Sequence, residues 1–522
     1  MRDATEQSRP VVLIWYVTML RHYVSALAGE LRQRHGFDCV LLTYEPANLP
    51  HAGQFGFDPS AFREILFLGD CLTPDRSPPL AGAVGEAERQ LGRSLVDLLR
   101  TDRELGRDFV LGAEFAEPAR LTGLAWDARI GIALRFVARL REILRRLRPV
   151  AVLCGAGSIG PAALSALARN SGLPCRDLIL ARVDSRLCWA AGWEIAPVGL
   201  AAAFAESLRV TPAPPAQVDA AEEAHRQALA ARPKQYEAWL ARERGAGSLP
   251  NLARRLGRIA RKHASYRLRH RGKRHGRYTL ASEMRHVWRL WLWLRASRRE
   301  PALLPGLPAG LDYIYFPLHV EPESGVMVEA QAADNQLACI DWLAKNLPGD
   351  WRLVVKEHPA LHAPRPPGFH ARLKAYPNLL LAGTWESSET LAAGARAVAT
   401  INGSTGIQAA VAGQPVISFN STFHGNLMPH VMLARGYAET RAAIARIRDG
   451  ELPDRTERRR AGAAFVHAVR ASSFAVSDGA LRDQLAGTQA ISAADAAILA
   501  DRFVAACDLA PPPQVVPTMA AQ

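Results

Sequence analysis

Short runs of consecutive apolar residues alternate along the chain with longer stretches in which apolar residues return every three or four positions. The first kind of run is what a strand buried on both faces requires, and the second is one side of a helix. Residues 11–17 are strand-like; in 20–35 the apolar positions Leu20, Val24, Leu27 and Leu31 keep helical spacing, and Gly36 stops that helix. Residues 39–43 and 64–68 predict a second and a third strand, ending at Tyr44-Glu45-Pro46 and at Gly69-Asp70. Helical spacing then dominates from 80 to 148. Residues 149–153 predict a fourth strand, which runs into Gly155-Ala156-Gly157-Ser158-Ile159-Gly160 and a helix of small residues as far as Asn170; a last strand lies near 178–180. Strands alternating with helices in this way predict an α/β fold with a doubly wound parallel sheet.

After a proline-rich stretch (Pro301, Pro305, Pro308) the pattern begins again. A strand at 312–316 ends in Pro317-Leu318-His319-Val320-Glu321-Pro322-Glu323-Ser324, and a helix at 331–346 carries Leu337, Ile340 and Leu343 on one face. A strand at 351–355 ends in Lys356-Glu357-His358-Pro359. A helix near 369–376, a short strand at 379–381 and a helix from Ser387 or Ser388 follow. A strand at 397–401 then runs into Asn402-Gly403-Ser404-Thr405-Gly406, a small-residue helix at 407–412 and a strand at 415–419; past Asn420 the chain reads as helical to about Cys507. Single cores stop growing at about 250–300 residues, so the 522 residues divide. The expected units are 1–211, a linker at 212–300, a second sheet domain at 301–450, helices over 451–510 and a disordered tail at 511–522.

Composition narrows the class. Hydrophobic residues at 49% and charged residues at 22% describe a globular chain. No apolar run reaches the roughly 20 residues that span a bilayer. The run 11–20 follows Asp3 and Glu6 and precedes no small-residue cleavage site, so it reads as a buried strand rather than a secretory signal. Seven scattered cysteines without a C-x-x-C pair argue for a reducing cytoplasm and against structural zinc.

The formal charge of +14 is local: between Asn251 and Arg299, sixteen Lys and Arg face one acid, Glu283, and this +15 leaves −1 for all the rest. Trp288, Trp291 and Trp293 lie within that segment at i, i+3 and i+5. Basic residues among Trp and Leu fit a surface helix on an anionic leaflet, where each cation contributes about 1 kcal/mol. They equally fit an interdomain helical arm whose tryptophans are core. No RNA-binding motif accompanies the charge, so no nucleic-acid partner is expected.

Open parallel sheets bind ligands in the crevice outside the carboxyl ends of their strands. Lys356 and His358 are either an ordinary exposed strand end or cations suited to a departing phosphate, whose negative charge grows as its bond breaks. The turn Gly403 to Gly406 feeds a helix and would aim backbone N–H groups at an anion; Ser404 and Thr405 suit helix capping as well as phosphate binding. His319, Glu321 and Glu323 fit solvated loop positions, contacts to ligand hydroxyls or proton transfer. The Gly155–Gly160 turn is read as a close-packing turn rather than a dinucleotide site, because no acid follows at the ribose-binding distance.

Four stretches carry a resemblance: Phe316-Pro317-Leu318-His319 with Glu321-Pro322-Glu323, Val355-Lys356-Glu357-His358-Pro359, Thr400 to Gly406, and Ala410-x-x-Gly413-x-Pro415-Val416-Ile417. They resemble the capsular polysaccharide biosynthesis proteins of bacteria, a family that includes the Kdo transferases of capsule assembly. The resemblance covers about 312–420 and is topological over the first domain. It implies a GT-B fold, two Rossmann-like doubly wound domains facing a cleft, here with a basic helical linker between them. It implies a metal-independent glycosyltransferase without a cofactor, taking a nucleotide-sugar donor as substrate and adding the sugar to a capsular or other surface polysaccharide or a lipid-linked glycan. The expected donor or phosphate contacts are Lys356, His358, Gly403, Ser404, Thr405, Gly406, Gln408, His319, Glu321 and Glu323, with His358 also taken as catalytic. The family commonly has a Glu in the helix after the turn where this chain has Gln408. The His-Pro pair is also similar to one in CMP-sialic acid transferases and teichoic-acid glycerophosphotransferases, which makes a CMP-linked donor one expectation. A glycerophosphotransferase, a nucleotide-sugar epimerase and a non-catalytic assembly factor are the alternatives. An inverting transfer also needs a general base on the acceptor side. Glu45, Asp70 and Asp184 qualify by position, and Asp184, in Arg182-Val183-Asp184-Ser185-Arg186, is the choice, with His22 in reserve. The expected place is the cytoplasm, at the inner face of the cytoplasmic membrane if the basic segment meets lipid.

Overall fold

The computed structural model describes residues 9–510 apart from 18–19, 75–80, 112–120, 122, 185, 193–196, 211–246, 270–278, 299–305, 309, 360–364 and 478–490. Two six-stranded sheets organise it. The first contains β1 (Val11–Trp15), β2 (Asp38–Thr43), β3 (Glu64–Phe67), β4 (Ala151–Leu153), β5 (Cys175–Leu180) and β6 (Leu187–Ala191), in the order β3-β2-β1-β4-β5-β6. Only β6 in this sheet runs antiparallel. The second contains β7 (Tyr313–Pro317), β8 (Arg352–Lys356), β9 (Leu379–Ala382), β10 (Ala397–Thr400), β11 (Val416–Ser418) and β12 (Val431–Leu433), in the order β12-β11-β10-β7-β8-β9 and parallel throughout. Counted from its own first strand, each sheet follows the same order, 3-2-1-4-5-6, and the winding reverses between its first and fourth strands. The chain is thus a two-domain, Rossmann-like α/β protein.

The unbroken apolar runs follow from helices on both faces of each sheet. Val11, Leu13 and Trp15 enter the core on one face of the first sheet, and Val12 and Ile14 enter the core on the other. Tyr313 and Tyr315 divide from Ile314 and Phe316 across the second sheet in the same way.

Two strands fall outside the predicted pattern. β6 follows β5 through a tight turn, so Arg182 and Asp184, both with positive φ, sit in a hairpin rather than after the last strand. β12 interrupts the stretch expected to be helical; at three residues it is too short to show a period. The expected C-terminal helices also part company. The helix Arg455–Ala471 packs against the helix Leu200–Val210, after which Phe474 exchanges backbone hydrogen bonds with Leu187 at 2.8 and 2.9 Å. The helix Ala493–Ala506 buries Leu499 and Phe503 in the first domain's core, and Arg176 Nε donates to the carbonyl of Ala506 at 2.8 Å. The first domain is therefore completed by the end of the chain. The predicted tail, 511–522, lies outside the described residues.

Most of the basic segment forms two helices, Leu249–Arg269 and Leu280–Ser297, which pack on one another. Among the described residues, no helix is long and apolar enough to cross a membrane.

Candidate functional site

The carboxyl edges of the two sheets meet. The segment after β7 leans on the first domain, where Met327 and Val328 join the core beneath the helix Leu95–Thr101. Arg100 on that helix pairs with Asp334 at 2.5 Å, and Gln331 Nε2 donates to the carbonyl of Asp97 at 2.9 Å. From the β5–β6 hairpin, Arg182 donates to the carbonyl of Asn402 and meets Glu329 at 3.3 Å, and Asn402 Nδ2 also donates to Glu329. Both switch points open onto this seam.

On the second domain's side, the chain leaves β10 through a turn in which Gly403 N–H donates to Thr400 Oγ1 at 2.9 Å and Asn402 N–H donates to His319 Nε2 at 3.0 Å. That bond uses the Nε2 lone pair and so puts the imidazole proton on Nδ1, which is buried without a partner. Burial first, then the positive charge of His358, Arg182 and Arg365, holds the His319 pKa down to about 3, so the ring is neutral at any physiological pH. Gly403 is the N-cap of the helix Ser404–Val411, and no side chain caps it. Ser404 is exposed; Thr405 and Gln408 are half-buried. The helix therefore starts with its first N–H groups uncapped by any side chain, which makes it an anion site in waiting. A Cβ on Gly403 would stand 3.0 Å from Thr400 Oγ1, so a glycine here lets the turn close tightly on Thr400.

Behind that turn lies a buried ion network. Arg365 grips Glu357 through Nε at 2.9 Å and Nη2 at 2.8 Å, reaches Glu321 through Nη1 at 2.5 Å, and donates from Nη2 to the carbonyl of His319 at 2.8 Å. Burial would raise the Glu357 pKa, but Arg365 and His370 outweigh it and hold the carboxyl well below its ordinary range. Burial dominates at Glu321, which is pushed up to about 7 against the pull of Arg365. Glu321 was expected to be a solvated acid or a donor contact. It is not solvated: the side chain is fully buried, with Oε2 on Arg365. Lys356 is likewise buried and donates to the carbonyl of Glu357 at 3.3 Å, so it is not an exposed strand end. His358 is half-buried, with its N–H on Glu357 Oε1 at 2.9 Å, and it lies close enough to His319 for its charge to act on that ring. Glu323, also half-buried, precedes the turn Ser324–Met327 and adds its charge to the environment of Glu329.

The first domain contributes Asp177, on β5. Its Oδ2 would stand 2.7 Å from a Cβ on Gly155, two residues past the end of β4, so a glycine there makes room for this carboxylate. Burial, and then the charge of Glu329 across the seam, raises the Asp177 pKa to about 7. Burial also raises Glu329, against the pull of Arg182. Asp184 points elsewhere: Arg470 Nε donates to its Oδ2, tying the hairpin to the helix Arg455–Ala471. Glu45 and Asp70 line a cavity of about 470 Å³ at the ends of β2 and β3, together with Tyr44 and Phe67. His22 is buried and accepts from Arg21 Nε at 2.9 Å. The Gly155–Gly160 turn is used for packing: a Cβ on Gly160 would come within 2.4 Å of the Trp15 ring, and its N–H donates to Tyr44 Oη at 3.1 Å.

Sequence reasoning missed Arg182, Asp177, Glu329 and Arg365. A lone acid inside an apolar strand was a usable signal for Asp177. Arg365 gave none, because it sits in a proline-rich loop, eight residues from Glu357 and 44 from Glu321, with no motif that ties it to either. Among the described residues, no group of three or more His, Cys, Asp or Glu side chains is placed to hold a metal ion.

No protein-family model matches this chain, and no curated protein matches it in sequence. Among solved structures it is similar to Staphylococcus aureus MnaA with UDP, at 11% identity over 87% of this chain and 91% of that one, with a TM-score of 0.26. It is similar to Neisseria meningitidis UDP-GlcNAc 2-epimerase bound to UDP-GlcNAc, at 12% identity over 86% and 93%, with a TM-score of 0.26. It is also similar to Thermosulfurimonas dismutans KpsC, a β-Kdo 2,4 transferase, at 13% identity over 57% and 79%, with a TM-score of 0.27. Likeness at this level says nothing of chemistry, and the two-domain topology rests on the sheets themselves.

Proposed function

We propose that this protein is a cytoplasmic glycosyltransferase of GT-B type, moving a sugar from a nucleotide-sugar donor onto a bacterial capsular or other surface polysaccharide. One observation carries the reading: a helix N-terminus uncapped by any side chain opens from the turn 402–406 into the seam between two switch points, with His319 and His358 beside it. That is a place for a leaving phosphate. The first N–H groups of the helix, Ser404, Thr405 and His358 take up its growing charge, and Lys356 adds a buried positive charge behind them. Gln408, one turn along the same helix, and Glu323 are assigned to the rest of the donor.

The acceptor-side base is assigned to Asp177 rather than Asp184, because Asp184 is held by Arg470 while Asp177 lies beside Gly155, past the end of β4. In an inverting transfer it would take the acceptor hydroxyl's proton as that oxygen attacks the sugar's anomeric carbon and the donor phosphate departs with the bonding electrons. A pKa near 7 suits that work. The sequence resemblance over 312–420 favours a capsular acceptor and keeps CMP-linked sugars among the candidate donors. The unpaired, buried state of all seven cysteines accords with a reducing compartment.

Thermal shift against a panel of CMP- and UDP-linked sugars would find the donor, since a ligand at a hundred times its Kd stabilises by about 2.7 kcal/mol. Turnover of that donor with a glycan acceptor should then persist in EDTA and fall about a hundredfold in a folded His358→Ala variant. Epimerisation of the donor without an acceptor, transfer of glycerol phosphate, or binding with no turnover would each replace the proposal with one of its alternatives.

A further inference from the structure

The two basic helices present a surface that the proposed chemistry does not use. In Leu249–Arg269, the residues turned to solvent include Arg254, Arg258, Arg261, Lys262 and Arg267, and Leu268 is 84% exposed. In Leu280–Ser297, Arg285, Trp288, Leu292 and Arg295 fall at i, i+3, i+7 and i+10, a single stripe along the helix. Trp288 is 46% exposed and Leu292 47% exposed, while Arg285 and Arg295 stand free of burial on either side of them. The inward face is different in kind: Trp291 and Leu294 are buried, as are Leu252 and His263 on the facing helix. The three tryptophans therefore do not act together. Trp291 serves the hairpin's own core, against which Trp288 leans with ring centroids 5.0 Å apart, and Trp293 is half-buried.

The segment's one carboxylate is mostly covered and meets this surface only at Lys262. Glu283 lies between the helices, 3.6 Å from Lys262 Nζ and 3.3 Å from His263 Nε2. What remains outside is cationic, with large apolar side chains set among the cations. A helical arm serving only to join two domains needs no exposed Trp-Leu stripe. At the hairpin's base, Trp385 Nε1 of the second domain donates to Ser297 Oγ at 3.3 Å.

We propose that the outer face of this helical hairpin docks on an anionic lipid bilayer. The cations meet lipid headgroup phosphates, and arginine's long stem lets the guanidinium reach the headgroups while its methylenes lie along apolar surface. Trp288, Leu292 and Leu268 enter the boundary between headgroups and acyl chains, where an indole ring is at home. Nucleic acid is disfavoured by the same stripe, because a phosphate backbone offers nothing to an aliphatic Leu292. The inference stands apart from the glycosyltransferase reading, since vesicle binding needs no donor and no turnover.

Sedimentation of the full-length protein with phosphatidylcholine vesicles containing phosphatidylglycerol tests it, with pure phosphatidylcholine vesicles as the control. Binding should require the anionic lipid and weaken as salt shortens the screening length toward about 8 Å. Replacing Arg254, Arg258, Arg261 and Lys262 together with Gln should weaken it by about a thousandfold. The double change Trp288→Ala and Leu292→Ala should weaken it even though no charge is altered, with an unchanged circular dichroism spectrum showing that the hairpin folds. Indifference of the wild-type protein to anionic vesicles at low salt would overturn the proposal. So would charge-dependent vesicle binding that ignores the Trp288 and Leu292 changes while single-stranded RNA competes for the same surface, which would mark a general polyanion site.

Discussion

A carboxylate on a strand whose other members are Cys175, Arg176, Leu178, Ile179 and Leu180 costs the fold stability wherever it is ionised without a counter-charge. Asp177 bears that cost twice, through burial and through Glu329 across the seam. The sign of its pH dependence follows. Its pKa is raised from 3.8 to about 7, so between those values the folded protein holds a proton that the unfolded chain has released, and stability falls as pH climbs through that window. Activity as a base runs the other way, rising through about pH 7 as the carboxyl ionises and levelling above it. Asp177→Asn should lose about 10²–10⁴ in kcat/KM, yet resist urea better than wild type at pH 8, because an amide never becomes the unpaired anion. Rates across pH 5–9 and urea midpoints at pH 6 and 8 check both halves. A flat wild-type profile together with an active Asp177→Asn protein would remove this residue from the mechanism.

The helix Ser404–Val411 can reach the seam only because it lies close on β10. A Cβ on Gly406 would stand 2.4 Å from Thr400 Cγ2 and 3.1 Å from the Phe423 ring, whereas one on Gly157 would meet nothing within 4 Å. Gly406→Ala should therefore push the helix off its strand, costing about 1–3 kcal/mol as overpacking does and weakening donor binding, while Gly157→Ala changes neither; calorimetric titration and thermal melts of the two variants decide it. Elements of this kind were legible in the sequence wherever a strand is buried on both faces, as β1, β7, β8 and β10 are, because burial on both sides demands an unbroken apolar run. β12 was not, being three residues inside a stretch without a period of its own. β6 was missed for another reason. It pairs antiparallel with β5 through a turn held at positive φ by Arg182 and Asp184, residues that carry no glycine signature for such a turn. The turn 402–406 was legible as a turn because its small residues are what close backbone approach requires. The Arg365 network was not, since Glu321 and the carbonyl of His319 lie on the segment after β7, and only the folded chain brings them to Arg365 and Glu357 after β8.

At the scale of the molecule, the two domains were readable as a repeated strand pattern, but what joins them was not. The return of the helix Ala493–Ala506 to the first domain depends on Leu499 and Phe503 finding a particular apolar face, which helical spacing alone does not specify. The seam itself depends on a few long side chains, of which Arg182 does the most: it crosses from the β5–β6 hairpin to the carbonyl of Asn402 and to Glu329, and so holds the β10 turn against the first domain. Glu329 is mostly buried and has Asp177 and Glu323 for neighbours, and Arg182 is the cation that offsets its charge. Arg182→Met keeps the apolar stem and removes the charge. It should destabilise the protein by about 1–3 kcal/mol, less than a fully buried pair because Arg182 keeps some solvent, and most of that loss would be the carboxylate left behind rather than the bond itself. Adding Glu329→Gln should then recover much of the loss, giving a double-mutant cycle with a coupling well beyond 0.5 kcal/mol. Urea unfolding of the wild type, both single variants and the double variant at pH 8 measures that coupling. Additive effects would mean that Arg182 and Glu329 contribute independently, and the seam would then owe its closure to Arg100 and Asp334 instead.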